Sequence, residues 1–155
     1  MLNITHAKAM KNRVSIYWDF ENVRVPDRAE CLIDFAQSRG DLITKKVYSH
    51  WRRETSASEY ALDGVGFDRI DVQEEFENSA DLQLESDCLK ELFSSLSPDI
   101  IILVSGDKDF AFLVRQLQRY QKQVIIFGRQ GVTSYKLILL ADEFHFAEEL
   151  CQLVA

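Results

Sequence analysis

Asp107 and Asp109 stand two apart in Ser105-Gly-Asp-Lys-Asp-Phe110, directly after the unbroken apolar run Ile100-Ile-Ile-Leu-Val104. Asp19 closes a second run, Val14-Ser-Ile-Tyr-Trp-Asp19, and Asp81 opens a stretch of helical period. One acid at a strand end or helix start is an ordinary cap. Several brought together are costly. Neighbouring parallel strand ends lie about 5 Å apart, where two like unit charges repel by about 3 kcal/mol at an effective dielectric of about 20. A divalent cation reverses that sign. All-oxygen donors suit Mg2+ or Mn2+ better than Zn2+. A cation so held lowers the pKa of bound water and neutralises a phosphodiester on the way to its transition state.

Convergence of these acids requires a particular set of elements. Ile100–Val104 is short and rich in β-branched residues, so it reads as a strand buried on both faces of a parallel sheet. Ser105-Gly106 is a turn pair. Asp107 to Lys122 follows as an amphipathic helix with Phe110, Leu113, Val114, Leu117 and Tyr120 inward. Two acids at the carboxyl end of a central strand occupy the place where open α/β sheets bind ligands. They also sit at a helix N-terminus, where negative charge is favoured.

The other elements alternate in the same way. Val14–Asp19 is a strand, and Pro26 starts a helix to about Arg39 with Leu32, Ile33, Phe35 and Ala36 inward, stopped at Gly40. Leu42–Trp51 reads as the second strand, Ser58–Leu62 as a short helix closed by Gly64, and Arg69–Val72 as a third strand. Gln73–Ser79 is an acidic loop. From Ala80 a helix presents Leu84, Cys88, Leu89, Leu92, Phe93 and Leu96 and ends before Pro98. Val124–Phe127 is a strand, Thr133 or Ser134 caps a helix through Leu140, Glu143–Ala147 is a last strand, and Glu148–Val154 a last helical turn or two. This alternation predicts one doubly wound parallel sheet over 14–155, preceded by a flexible lead-in over 1–13.

Composition narrows the function classes. The chain has 155 residues, 46% of them hydrophobic, enough for one domain with one core. No apolar run approaches the length of a membrane span, and the first residues lack a signal-peptide core. Cys31, Cys88 and Cys151 are scattered and odd in number, with no C-x-x-C, so neither a disulfide frame nor a zinc site is expected, and the reducing cytoplasm is the default. The formal charge of −7 argues against unaided nucleic-acid binding, which would need local basic patches, bound cations or a partner. There is no phosphate-binding Gly-rich loop with Lys-Ser/Thr, and Gly64-Val-Gly-Phe-Asp-Arg69 lacks the third Gly of a dinucleotide fingerprint. Ser105 lies in no nucleophile elbow. His6, His50 and His145 are far apart and each reads as a surface or core histidine.

Taken in order, Ile16-Tyr-Trp-Asp-Phe-Glu-Asn-Val23, then Asp81 with Asp87, then Val104-Ser-Gly-Asp-Lys-Asp-Phe110 with Leu113 resemble the NYN domain, within the PIN-like nuclease fold. The tail Thr133-Ser-Tyr-Lys-Leu-Ile-Leu-Leu-Ala-Asp-Glu-Phe144 resembles the LabA-like branch. The likeness runs from about Val14 to Glu149. It implies a three-layer α/β/α fold around a mainly parallel sheet. It also implies an acidic cluster holding Mg2+ or Mn2+, and hydrolysis of single-stranded RNA by a water on that cation, leaving 5′-phosphate and 3′-hydroxyl ends. By position, Asp19, Asp81 and Asp107 would be the metal carboxylates, and Asp109 a fourth ligand or one acting through water. Asn22 and Ser105 would be polar support. Where the family often has Lys-Gly-Val-Asp, this chain has Asn78-Ser-Ala-Asp81, which removes a cation from the neighbourhood of the scissile phosphate. Asp87 is six residues from Asp81, about 120° around a helix, so it is expected in a supporting or structural role.

Lys108 could touch phosphate from the central turn, although a solvated lysine is the plainer reading. Arg52, Arg53, Arg115, Arg119 and Arg129 could supply a basic rim; Arg115 and Arg119 read first as a solvated helix face. Trp18 and Phe20 read as core, whereas Trp51 and Tyr60 are better placed to stack on bases. Three functions follow: a metal-dependent endoribonuclease, a weakly active or inactive regulatory module binding RNA or protein partners, and a metal-dependent nucleotide phosphohydrolase. Homodimerisation would be one way to widen a basic groove.

Overall fold

The structure, a computed structural model, describes residues 11–73 and 79–155. His6, most of the expected lead-in, residues 74–78 of the acidic loop and the Asn78 departure from the family pattern lie outside the described residues.

Six strands form one all-parallel sheet: β1 (Arg13–Asp19), β2 (Asp41–Ser49), β3 (Asp68–Asp71), β4 (Ile100–Val104), β5 (Gln123–Gly128) and β6 (Glu143–Phe146). Their order is β3-β2-β1-β4-β5-β6. The chain runs outward from β1 to β3, then crosses back to lay β4 on the other side of β1. The order therefore reverses between β1 and β4, and an open crevice lies above the carboxyl ends of those two strands.

Side-chain alternation along the strands builds two cores. In β4, Ile100, Ile102 and Val104 point into one core and Ile101 and Leu103 into the other, all five buried. The first core is covered by α1 (Ala29–Arg39), α2 (Ser56–Gly64) and the short α6 (Leu150–Leu153), through Leu32, Phe35, Leu62 and Leu150. The second is covered by α3 (Ser79–Leu92), α4 (Ala111–Arg119) and α5 (Tyr135–Leu140), through Leu84, Leu92, Leu113, Leu117 and Leu137. The result is the three-layer α/β/α fold, with a sheet that is parallel throughout rather than mainly so.

The joint between α1 and β2 requires glycine. A Cβ on Gly40 would stand 2.2 Å from the Asn12 carbonyl oxygen, closer than any carbon can approach. Pro26 opens a 3-10 turn, Pro26–Arg28, before α1 begins.

Several expected boundaries move. β2 stops at Ser49, and Trp51 falls in a 3-10 turn, Trp51–Arg53. A 3-10 turn, Lys108–Phe110, precedes α4. Phe93, Leu96 and Tyr120, expected inward, are 65%, 58% and 53% exposed. The cause is helix termination. Ser94 folds its hydroxyl onto the Glu91 carbonyl at 2.7 Å as α3 ends. Gln121, in left-handed conformation (φ 63°), turns the chain after α4. Phe93 and Tyr120 meet edge to face at 5.1 Å on the surface instead.

The cysteine expectation is corrected. Cys31 of α1 and Cys151 of α6 form a disulfide across a sequence separation of 120. No local motif announces it, because the pair is made by the packing of two distant helices on one face of the sheet. Cys88 is buried and free.

Candidate metal centre

The turn after β1 is held by its own tryptophan. Trp18 Nε1 donates to the Val23 carbonyl at 2.8 Å within the core, and the Val23 N–H donates to the Asp19 carbonyl at 3.1 Å. This closes the turn and presents Asn22 toward β4. Asn22 Oδ1 accepts the Gly106 N–H at 2.7 Å. Gly106 cannot carry a side chain, since a Cβ there would meet Thr133 Oγ1 at 2.7 Å and Thr133 Cα at 2.8 Å.

Ser105, fully buried, links the two strand ends. Its hydroxyl donates to Asp19 Oδ2 at 3.1 Å and accepts the Asp107 N–H at 3.1 Å. Asp107 Oδ1 in turn accepts the Asp109 N–H at 2.9 Å, capping the 3-10 turn. Asp81 arrives from the first turn of α3. Carboxylate oxygens of Asp81, Asp107 and Asp109 lie within 4.8 Å of one another, and Asp19, 4% exposed, lies in the same cleft. The cleft has a volume of about 240 Å³ and is lined by Asp19, Glu21, Asn22, His50, Ala80, Asp81 and Asp107.

Electrostatics register the crowding. Burial pushes the Asp19 carboxyl up to about 6; the Ser105 hydrogen bond opposes this, and the charges of Asp107 and Glu21 add to it. Asp81 is pushed up to about 7 by burial, then by Asp19, Asp107 and Asp109. A cleft with carboxyls this reluctant to ionise is short of positive charge. Asp81, Asp107 and Asp109 offer it oxygens alone, within the reach of one ion, so these residues fit a hard divalent cation.

Among the residues singled out from sequence, Asp19, Asn22, Asp81 and Asp107 line the cleft, Asp109 joins the carboxylate cluster from an exposed position, and Ser105 lies beneath it. Lys108 lines an adjoining shallow groove with Asn22, Gly106 and Thr133. Asp87 does not line the cleft; it accepts from the Tyr48 hydroxyl at 2.8 Å and from Gln83 Nε2 at 3.0 Å. Arg52 and Arg53 are exposed on the turn after β2 and do not line it either. Trp51, expected as a stacking surface, is instead in the core, 5% exposed. Its Nε1 donates to the Ile70 carbonyl at 3.0 Å, and its ring lies 5.2 Å from that of Phe20. Tyr60 is 83% exposed.

Sequence reasoning passed over two lining residues, Glu21 and His50. His50 Nδ1 lies 2.5 Å from Glu21 Oε1. Burial alone would raise Glu21, but hydrogen bonds from the His50 ring and backbone outweigh it and hold the carboxyl below its ordinary range. The signal for His50 was its place just past the end of β2. It becomes legible only once β2 is known to pair with β1, Tyr48 opposite Asp19.

An open, wholly parallel α/β/α sheet with a carboxylate cleft at its switch point defines the structural class. Within that class the chain belongs to the NYN domain family, whose profile matches residues 13–150. Among solved structures it is similar to a protein of unknown function, VPA0982, from Vibrio parahaemolyticus RIMD 2210633. The two are 26% identical with a TM-score of 0.68, over 88% of this chain and 93% of that one. Two UDP-N-acetylglucosamine 2-epimerases, one described as putative and from Listeria monocytogenes, share the fold alone at 10% and 13% identity and TM-scores of 0.51 and 0.53. The chain covers 94% and 93% of itself in those alignments but only 42% and 45% of the epimerases. No curated protein matches it.

Proposed function

We propose that this NYN domain, of the LabA-like branch, is a metal-dependent endoribonuclease acting on single-stranded RNA. One observation carries the reading: Asp81, Asp107 and Asp109 offer oxygens within 4.8 Å of one another beside the buried Asp19. Asp19, Asp81 and Asp107 are the residues that would hold Mg2+ or Mn2+, and Asp109 would bind directly or through water. The bound cation supplies an acidified water and a counter-charge for the phosphodiester. Ser105 and Asn22 keep the two strand-end turns in register, so the carboxylates need little reorganisation when substrate binds. In this reading Lys108, which lines the adjoining groove, would meet the RNA backbone, and the exposed Arg52 and Arg53 would supply a basic rim.

A second reading, a regulatory module that binds RNA or protein with little turnover, is favoured by the net charge of −7 and by Asn78-Ser-Ala in place of the family's Lys-bearing triplet. A third, a nucleotide phosphohydrolase, uses the same carboxylates. Labelled single-stranded RNA and a free nucleotide, each incubated with Mn2+, with EDTA, and with Asp107→Asn protein, separate the three. Metal-dependent cuts in RNA that disappear in the variant support the nuclease. RNA shifted on a gel but intact supports the module. Phosphate released from the nucleotide alone supports the phosphohydrolase.

A further inference from the structure

The carboxylates explain how a cation could be held, but not how the departing oxygen would acquire a proton. Every other ionisable side chain among the described residues lining the cleft is an acid: Asp19, Glu21, Asp81 and Asp107. His50 is the one that can carry a positive charge.

Its position is built by two elements. β2 runs parallel beside β1, with Tyr48 opposite Asp19, so two residues further on the chain reaches the cleft wall. There Glu21, from the turn after β1, grips the histidine twice. The ring Nδ1 lies 2.5 Å from Glu21 Oε1 and the His50 backbone N–H 3.4 Å from the same oxygen. The His50 side chain is 11% exposed, so the ring is packed as well as tethered. With Nδ1 engaged by a carboxylate, Nε2 is the nitrogen left to interact with a substrate. A carboxylate on one ring nitrogen fixes the orientation of an imidazole whose other nitrogen does acid–base work.

We propose that His50 is the proton donor to the leaving 3′-oxygen, with Glu21 as its positioning residue. The inference rests on the nuclease reading above. As the water oxygen bonds to phosphorus and the P–O3′ bond breaks, the proton on Nε2 passes to O3′, giving the 3′-hydroxyl end. The proton released by the attacking water leaves to solvent, and solvent returns one to Nε2. No further reactant is needed.

The test uses the full chain with Mn2+ and two single-stranded RNA substrates that differ in one linkage. One linkage is ordinary. In the other a bridging sulfur replaces O3′, and its thiolate departs without protonation. His50→Gln should slow cleavage of the ordinary linkage by about a hundredfold or more, the size of a general-acid contribution, and leave the sulfur linkage close to the wild-type rate. Glu21→Gln should show the same split at smaller size. The Mn2+-induced rise in melting temperature should be the same in wild type and His50→Gln, because His50 is not a ligand in this account. Equal slowing on both linkages, no slowing on either, or loss of the Mn2+ response would overturn the assignment. Wild-type protein that cuts neither linkage, with its Mn2+ response intact, would instead remove the nuclease reading and this role with it.

Discussion

The Ser105 hydroxyl donates to Asp19 Oδ2 at 3.1 Å, joining the ends of two adjacent strands whose residues lie 86 apart in sequence. Both groups are buried, so neither has water as a ready substitute. Ser105→Ala would leave a buried carboxylate short of a donor, at a cost of about 1–3 kcal/mol. It would also remove the contact that restrains the Asp19 pKa. Urea unfolding of the metal-free variant at pH 8 should show the loss. An unchanged midpoint would mean that the bond contributes nothing to the fold.

Stability without metal should fall as pH rises. Asp19 and Asp81 have folded pKa values of about 6 and about 7, above the ordinary 3.8. Between pH 4 and 7 the folded state therefore binds more protons than the unfolded one, and unfolding becomes easier as those protons leave. In EDTA the thermal midpoint should decline from pH 5 to pH 8. Asp81→Asn should flatten that decline and raise the midpoint at pH 8. A divalent cation should stabilise the wild type more at pH 8 than at pH 5, because protons compete for the same oxygens.

The opposite sign applies on the acid side. Glu143 is held at about 2 by paired hydrogen bonds from Arg39, against burial and with help from His145. Arg39 Nη1 and Nη2 each lie 2.7 Å from a Glu143 oxygen, tying α1 to β6. This contribution is present above the unfolded carboxylate pKa of 4.5 and fades as pH falls toward 2. Glu143→Gln should cost about 1 kcal/mol at neutral pH and make the acid-denaturation limb shallower, as followed by circular dichroism.

Reduction should loosen the C-terminal helix. The Cys31–Cys151 bond closes most of the chain into one loop, and such a bond typically contributes about 2–4 kcal/mol. Under denaturing, non-reducing conditions one thiol, that of Cys88, should alkylate; after reduction all three should. Reductant should lower the melting temperature of the wild type and leave that of Cys31→Ser/Cys151→Ser unchanged.

The layer order and the acid positions were legible because they follow from local signals. β4 is a run of five apolar residues, and Ser105-Gly106-Asp107 punctuates it. What escaped depends on contacts between distant segments. Trp51 looks like an aromatic beside a polar loop, but the indole N–H finds the Ile70 carbonyl of β3 and the ring goes inside. Cys31 and Cys151 carry no spacing rule. Glu21 and His50 each have an innocent local reading, and only the pairing of β1 with β2 puts them on one wall. Phe93 and Tyr120 kept the helical period, but the helices had already ended.

The central claim is that Asp19, Asp81, Asp107 and Asp109 share one divalent cation at the switch point of the sheet. Anomalous diffraction from crystals grown with Mn2+ tests it most directly. The account predicts one strong peak among those carboxylates in the wild type, absent in Asp107→Asn. A cleft without a peak at saturating Mn2+, or an ion bound elsewhere with these side chains turned apart, would contradict it.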